Sequence, residues 1–569
     1  MTTFTDAAPK RARPLRPLRL DTEFLALAAL IAAAVVIGLL TVGDYGITVD
    51  EYNADDYGPK ALAWYTSGFT DRRTFQAVEE TLWYYGPWFH ILTAVVQSLS
   101  LAEHWTTRHA MNFLLGVAAI LALFPIARLA IGRWAGLVAI GLCLTTGYLY
   151  GSIFFTPIDV PFMFAMTCAT FAIVLMASRT VPSWPATIAA GILTGLAIAT
   201  RSSGIITHVY LAGAMILCGL EAVLHHRGSA RERLLRIVIR TAAAVLIAWV
   251  TAIALWPWLQ IGNPFAQFRE AFRYFANHPQ SFEFLLWGSD VTSNELPWWY
   301  IPGQLAARLP EGFLLLLIVG LAGGVANAFG FLRRGYGALA LLSTARLRAL
   351  ALVTARSRPI LIVWAAAILP IAFVILQQST LYDGIRHVMF LIPIMALIAG
   401  YGFVWLLPLL RRFPIASTIA GGAYASYAVL TLVLLHPLQY VSFNAFAGGV
   451  HGAYLRFDLD YWAIAANTAL RRLESRLDLV PNRFASNPPS ILICINHREG
   501  MVTPMYRRPW RLEVEPEKAD YIIETERWRC AEKLPFVLID EVTRNDRTFA
   551  WVYARQPLRD AAHEPRADR

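Results

Sequence analysis

Long apolar runs separated by short charged segments constrain this chain more than any other feature of its sequence. A helix needs roughly 20 apolar residues to cross a hydrocarbon core of about 30 Å, and runs of that length recur along the 569 residues. Hydrophobic residues make up 57% of the chain, and charged residues only 15%. The sequence therefore predicts a polytopic α-helical membrane protein.

Run length predicts about eleven membrane spans. They are residues 22–42, 110–130, 134–154, 160–178, 184–200, 205–224, 239–259, 311–331, 360–376, 387–407 and 414–435. Two stretches of the first loop, 59–68 and 83–101, mix aromatic with polar residues. We expect these two to be helices that lie along the membrane interface.

The basic residues indicate an orientation, because Lys and Arg accumulate on the cytoplasmic side of a membrane. Under strict alternation the basic clusters fall on one face. They are residues 1–21, Arg128, Arg133, Arg179, 225–240, 333–358 and 411–412. The net charge of +10 then reports membrane topology and not nucleic-acid binding. We expect residues 1–21 to be a cytoplasmic segment before an uncleaved anchor, in a bacterial inner membrane.

The polar C-terminal region, residues 437–569, is predicted to be a small extracytoplasmic α/β domain that follows a transmembrane domain of residues 22–436. The runs SILICIN, DYIIET and FVLIDEV have strand composition, and residues 461–477 are a candidate helix. Cys494 and Cys530 lie in this region and could form a disulfide if it is extracytoplasmic. The five cysteines show no zinc-ligand spacing.

A cluster of acidic residues follows the first span. The stretch GDYGITVDEYNADDYGPKALAWY, residues 43–65, contains five carboxylates, which are Asp44, Asp50, Glu51, Asp55 and Asp56. Carboxylates at a membrane boundary are costly unless they face water, a cation or a substrate. The stretch is therefore a candidate site, and a solvated interfacial loop is the alternative.

Several charged residues are expected on the same extracytoplasmic face as this loop. They are Asp50, Glu51, Arg108, Asp159, Arg201, Asp383 and Arg386. Arginine binds phosphate bidentately, and a carboxylate can accept the proton of an attacking hydroxyl. A phosphate leaving group needs charge stabilisation more than protonation, so one base and one or two arginines suffice for a displacement with inversion at a sugar carbon.

Six motifs in this order resemble the GT-C type of integral-membrane glycosyltransferase, specifically the protein O-mannosyltransferase and aminoarabinose transferase superfamily. The motifs, which span roughly residues 20–465, are Asp50-Glu51, RHAMNFLLG from Arg108, TPIDVPFMF, LPWWYIP, RHVMFLIPIMALIAGYG from Arg386 and HPLQYVSFNAFAGG. The resemblance implies a sugar donor on a polyprenyl phosphate. It also implies an acceptor, which would be a glycolipid, glycan or protein, reached from the extracytoplasmic face.

Residue by residue, the resemblance implies catalytic and phosphate-binding roles. Asp50 becomes the base, and Glu51 its neighbour, which binds the acceptor or tunes the proton affinity of Asp50. Asp159 corresponds to a second-loop carboxylate, with helix capping as the alternative. Arg108 and Arg386 correspond to donor-phosphate contacts. For Arg108 the alternative is an interfacial snorkelling arginine, and for Arg386 it is a structural pair with Asp383.

Weaker candidates complete the predicted site. Arg201 could contact an anionic phosphate, although a plain boundary arginine is the competing interpretation. Tyr52, His278, Trp298 and Tyr300 could contact the acceptor or stack on sugar faces, and an aromatic interface belt is the alternative. No cofactor is required, and a divalent metal is possible without any ligand spacing that indicates one.

The sequence is also compatible with two other function classes. A transporter or flippase of a lipid-linked sugar would also have many spans and intramembrane charges. A non-catalytic membrane scaffold could use the C-terminal domain to bind a partner. The enzyme is favoured because the charges gather on one face and because no internal repeat is evident.

Overall fold

Helices dominate the computed structural model of the chain, which describes residues 22–76, 81–225, 229–276, 281–339, 344–478, 488–494, 510–531 and 534–556. The helices are α1 (Thr22–Thr41), α2 (Val49–Thr66), α3 (Trp88–Ser98), α4 (His104–Leu121), α5 (Leu123–Ala130), α6 (Arg133–Thr145), α7 (Gly147–Phe155), α8 (Asp159–Ala177), α9 (Trp184–Thr200), α10 (Ile206–His225), α11 (Ala230–Leu255), α12 (Pro264–Ala276), α13 (Tyr300–Arg308), α14 (Glu311–Leu339), α15 (Thr344–Gln377), α16 (Leu391–Arg412), α17 (Pro414–Leu435), α18 (Gly449–Ala453) and α19 (Ile464–Asp478). The strands are β1 (Glu283–Leu286), β2 (Ser289–Thr292), β3 (Ser490–Ile493), β4 (Arg511–Leu512), β5 (Tyr521–Thr525), β6 (Phe536–Arg544) and β7 (Arg547–Arg555).

The predicted membrane spans correspond to observed helices. Within the described ranges, eight helical segments are long and apolar enough to cross a membrane, and they contain α4 with α5, α8, α10, α11, α14, α15, α16 and α17. Two more pass the same test only as bent pairs, α1 with α2 at 94° and α6 with α7 at 71°, and α9 is a shorter apolar helix of 17 residues. The chain is a polytopic α-helical membrane protein, as predicted.

The first loop contains helices at the predicted positions, but α2 begins ten residues before the predicted start at residue 59. Its N-terminus is fixed by a capping box, in which the Thr48 hydroxyl accepts from the Glu51 N–H at 3.1 Å and the Glu51 carboxylate accepts from the Thr48 N–H at 3.0 Å. The second predicted helix, residues 83–101, is shorter than expected. A 3-10 turn, Leu82–Tyr84, comes first, and α3 begins only after Pro87, which has no N–H to donate within a helix.

The C-terminal region contains a five-stranded mixed sheet in the order β4-β3-β5-β7-β6. The strand β3 is parallel to β4 and β5, whereas β7 is antiparallel to β5 and β6. The predicted runs become β3, β5 and β6, and the predicted helix becomes α19. A disulfide joins Cys494 to Cys530, whose Cα atoms are 6.0 Å apart.

This sheet is continuous with the membrane helices through one apolar core. Leu470 and Leu473 of α19 are buried in the same cluster as Phe549 and Val552 of β7 and as Tyr440, which follows the last span. The C-terminal domain is therefore packed onto the membrane part of the chain.

The segment after α17 packs closely against α7, where the helix carries glycine. A Cβ atom added to Gly151 would lie 2.5 Å from the backbone nitrogen of Tyr440, and one added to Gly147 would lie 2.6 Å from the Ser442 hydroxyl. Real Cβ atoms do not approach backbone this closely. The two glycines thus allow the contact that holds the start of the C-terminal region against the bundle.

A buried carboxyl group and a half-buried one lie at the junction of α19 with the sheet. The Asp460 carboxylate accepts from the N–H groups of Ile464 and Ala465 at 2.9 and 3.0 Å and from the Tyr440 hydroxyl. Burial raises the pKa of Asp460 to about 6. Burial, with the nearby charges of Asp460 and Asp458, raises the pKa of Glu526 to about 8.

We expect Gly151→Ala to destabilise the protein by about 1–3 kcal/mol, because the added methyl group meets backbone that cannot rotate away. Thermal unfolding of the purified protein in detergent measures the effect. Gly141→Ala is the matched control, since a Cβ added there meets no atom within 4 Å and alanine favours a helix by up to about 1 kcal/mol. Equal melting temperatures for the two variants would contradict this packing.

Stability is expected to fall as the pH rises from about 4 to about 8. The folded state binds more protons than the unfolded state in this window, because the pKa values of Asp460 and Glu526 are raised on folding. Glu526→Gln should flatten most of the pH dependence of the melting temperature above about pH 6, because only Glu526 of the two groups still titrates there. An unchanged pH profile of melting temperature in this variant would count against the raised pKa of Glu526.

Candidate functional site

Four of the predicted site residues meet in one small cavity. Its volume is about 40 Å³, and it lies where α2, α8, the end of α9 and the segment before α16 come together. The predicted members are Asp50, Asp159, Arg201 and Arg386. The other lining residues are Asn53, Leu82, Tyr85, Ile158, Tyr382 and His387.

Asp50 enters this cavity from the first turn of α2 and pairs with Arg386. The Arg386 Nη1 atom donates to Asp50 Oδ2 at 2.9 Å. The N-terminus of a helix favours a carboxylate through the helix dipole, and the capping box of Thr48 and Glu51 fixes where that terminus lies. The Asp50 side chain is 21% exposed, so its carboxylate keeps access to solvent beside a buried guanidinium.

Arg386 is surrounded by negative and aromatic groups. It lies in a 3-10 turn, Arg386–Val388, just before α16, and its Nη2 atom is 3.5 Å from Asp383 Oδ2. The guanidinium carbon is 4.7 Å from the ring centroids of both Tyr382 and Trp462. The alternative pairing of Arg386 with Asp383 is therefore present, and the predicted contact of Arg386 with donor phosphate stays a prediction.

A second ion pair lies on the other side of the cavity. Arg201 Nη1 donates to Asp159 Oδ1 at 2.5 Å, and the guanidinium lies 5.6 and 5.8 Å from the rings of Tyr85 and Phe162. Asp159 is the first residue of α8, and Ile158 occupies the N-cap position without a side-chain bond. Asp159 therefore does not cap its helix, and its partner is an arginine from the end of α9.

The C-terminal domain contributes a residue that sequence reasoning missed. Arg527, which follows β5, donates from Nη1 to Asp383 Oδ1 at 2.7 Å. Asp383 and Gly384 both have positive φ angles, 55° and 68°, and the Tyr300 hydroxyl donates to the Gly384 carbonyl at 2.7 Å. A chain of contacts thus runs from Arg527 through Asp383 and Arg386 to Asp50. No local pattern in the sequence distinguishes Arg527 from the other arginines of its region.

Arg108 and Glu51 lie in a neighbouring buried cluster and do not line the cavity. Arg108 is 1% exposed and donates to Asp55 at 3.0 Å, so it is not a snorkelling arginine. Glu51 is fully buried in the capping box, with His109 Nε2 at 3.0 Å from its carboxylate. This cluster fastens α2 to α4. The predicted contacts of Arg108 with donor phosphate and of Glu51 with acceptor stay predictions.

The predicted aromatic contacts are dispersed. Trp298 is 71% exposed, whereas Tyr300 is buried and supports the loop of Gly384. Tyr52 lies on α2 and is half-buried. These three residues do not line the cavity, and His278 lies outside the described residues. Their roles as sugar or acceptor contacts stay predictions.

Across the part of the chain that the structure describes, one group of metal-type donors is clustered closely enough to hold an ion. It consists of Cys494, Glu524 and Cys530. Both of its sulfur atoms are joined in the disulfide, so they are not thiolate ligands. The carboxylates of Asp50 and Asp159 face arginines.

The arrangement is suited to binding an anion and moving a proton. Two guanidinium groups and two carboxylates line the cavity, so the charges of these four side chains are close to balanced. An entering phosphate would compete with Asp50 for Arg386 and with Asp159 for Arg201, because arginine forms bidentate bonds to either group. The carboxylate released from Arg386 would then be available as a proton acceptor.

No protein-family model and no curated protein matches the chain. Among solved structures it is similar to ArnT from Cupriavidus metallidurans bound to undecaprenyl phosphate, with a TM-score of 0.44, 15% identity, and coverage of 93% of this chain and 97% of ArnT. It is also similar to the apo oligosaccharyltransferase of Archaeoglobus fulgidus, with a TM-score of 0.40, 12% identity, and coverage of 82% and 62%. At these scores no residue role is carried over from either protein.

Proposed function

We propose that the chain is an inverting membrane glycosyltransferase that moves a sugar from a polyprenyl-phosphate donor to a hydroxyl acceptor on the extracytoplasmic face. The observation that carries this proposal is the cavity in which Asp50, Asp159, Arg201 and Arg386 meet. A partly exposed carboxylate beside two arginines matches the needs of a displacement with a phosphate leaving group.

The proposed reaction is a single displacement. The acceptor oxygen attacks the anomeric carbon, the bond from that carbon to the phosphate oxygen breaks, and the acceptor proton passes to Asp50. The polyprenyl phosphate leaves with the electron pair of the broken bond, and its charge is stabilised by Arg386 and Arg201. No general acid is required, because phosphate is a weakly basic leaving group.

The two ion pairs support separate roles for the two carboxylates. Asp50 is 21% exposed, so it is the carboxylate that an acceptor can reach. Asp159 has a side chain only 6% exposed, and its pairing with Arg201 orients that guanidinium toward the cavity. We therefore assign proton transfer to Asp50 and positioning of Arg201 to Asp159.

We further propose that residues 1–21 are cytoplasmic and that residues 437–569 form an extracytoplasmic domain after a transmembrane domain of residues 22–436, in a bacterial inner membrane. The basic clusters support this orientation. The disulfide between Cys494 and Cys530 supports it independently, because disulfides persist in oxidising compartments. Nucleotide sugars are not available outside the cytoplasm of a bacterium, which favours a lipid-linked donor.

A transporter of the same lipid-linked sugar fits the geometry less well. Transporters place their binding sites near the middle of the membrane between discontinuous helices. Here the charged residues lie at helix ends, with Asp50 and Asp159 in the first turns of α2 and α8.

Asp50→Asn is expected to lower transfer by about 10²–10⁴-fold, because the amide cannot accept the acceptor proton. Mass spectrometry of lipid-linked sugars and surface glycans in cells measures the effect. A polyprenyl-phosphate sugar should accumulate and one glycan modification should be lost, which would also identify both substrates. Asp56→Asn is the matched control on the same helix, where the carboxylate pairs with Lys60 at 2.7 Å. Normal glycans in cells that express Asp50→Asn would refute the assignment of the base.

Arg527→Gln is expected to lower the rate of the same transfer by about tenfold, since Asp383 loses a charge-assisted hydrogen bond worth about 1.5–3 kcal/mol. Because Arg527 acts through Asp383 and Arg386, Arg527→Lys should restore part of the rate. Arg511→Gln in the same domain is the control, since that side chain is 51% exposed. If the lysine and glutamine variants have the same rate while both proteins fold, the positioning role of Arg527 is wrong.

A further inference from the structure

A second, larger cleft lies between the C-terminal domain and the ends of two membrane helices. Its volume is about 540 Å³. The walls are the segment after α1, the segment after α17, one face of α19 and part of β6. The lining residues are Asp44, His436, Pro437, Thr468, Arg471, Arg472, Ser475, Arg476, Asp540 and Arg544. We call this cleft the arginine cleft, and it shares no lining residue with the cavity of Asp50.

The helix α19 presents one polar face to the arginine cleft. Its five lining residues follow the spacing of a single helix face, and they are Thr468, Arg471, Arg472, Ser475 and Arg476. The opposite face carries Ala469, Leu470, Leu473 and Leu477, which are buried in the core. The packing of α19 on the sheet therefore directs three arginines into the cleft.

The positive charges of the cleft exceed its negative charges. Asp44 contacts His436 at 3.0 Å and Arg471 at 3.7 Å, and Asp540 contacts Arg476 at 3.0 Å. Both carboxylates of the cleft are therefore already paired with His436, Arg471 or Arg476.

Two arginines remain without a carboxylate partner among the described residues, Arg472 and Arg544. Arg472 donates to the Glu541 carbonyl at 2.9 Å, and Arg544 donates to the His436 carbonyl at 2.8 Å. Burial, together with the charge of Arg472, lowers the pKa of Arg544, as expected for two like charges that line the same cleft. An anion between them would relieve this repulsion.

The position of the cleft indicates where such an anion comes from. Asp44 follows the last residue of α1 by three positions, and His436 directly follows α17. Both helices expose large apolar side chains outward, including Leu40 at 79% and Val433 at 65%. The cleft therefore opens at the level where lipid-facing helices end, which is where lipid phosphates lie.

We propose that the arginine cleft binds the phosphate of an anionic membrane lipid, with Arg472 and Arg544 as its ligands. Phosphate fits because guanidinium groups bind its oxygens bidentately and keep their charge. Such a lipid joins α19 and β6 to the ends of α1 and α17, so it fastens the C-terminal domain to the membrane surface. This binding is independent of the proposed glycosyl transfer.

Lipid retention by the purified full-length protein tests the proposal. The protein is exchanged from detergent into nanodiscs or mixed micelles that contain phosphatidylglycerol or phosphatidylcholine, and native mass spectrometry counts retained lipid. We expect selective retention of phosphatidylglycerol by the wild type. The paired variant Arg472→Gln with Arg544→Gln should lose about fivefold in affinity for each arginine removed. The control pair Arg511→Gln with Arg529→Gln removes the same charge from exposed positions of the same domain and should bind normally.

Three further results distinguish a lipid phosphate from a soluble phosphate, and a loss of charge from a loss of folding. Millimolar inorganic phosphate should not displace phosphatidylglycerol, and displacement would mean that a soluble phosphate, and not a lipid, is the ligand. Arg472→Lys with Arg544→Lys should retain part of the selectivity, which separates lost charge from lost folding. Equal retention of phosphatidylglycerol by wild type and by a folded glutamine pair would overturn the proposal.

Discussion

The ion pair between Asp50 and Arg386 is the interaction on which the rest of the site depends. A guanidinium buried at a membrane boundary is stable only when carboxylates compensate it, and removing one partner of such a pair is strongly destabilising. Arg386 obtains this compensation from Asp50 on α2 and from Asp383 in its own loop. Charge neutralisation thus joins the first loop to a segment that lies far along the sequence.

The same balance of charge is compatible with both a stable fold and the proposed reaction. Each arginine of the cavity is held by a carboxylate, so these four side chains together carry no large net charge. A phosphate can exchange for either carboxylate at a guanidinium with similar bonding. The electrostatic arrangement is therefore present before any anion enters, which is the condition under which polar groups stabilise developing charge most effectively.

Much of the fold could be predicted because membrane spans leave a strong apolar signal, and α9 and α17 have the bounds expected from run length. The early start of α2 follows from the capping box of Thr48 and Glu51. Pro59, which had suggested a later start, lies inside the helix. The strand β7 contains Thr, Phe, Trp, Val and Tyr, which is strand composition, but it was not among the predicted runs.

Asp50, Asp159, Arg201 and Arg386 were predicted as a group because topology alone places them on one face. Their pairing was not predictable, since it depends on side-chain geometry across distant segments.

The contact of Arg527 with Asp383 affects when the site can assemble during biosynthesis. Arg527 follows the described membrane helices along the chain, so the charge network around Asp50 is incomplete while those helices are being synthesised and inserted. The order of synthesis itself therefore delays assembly of this network until the region that contains Arg527 has folded onto the bundle.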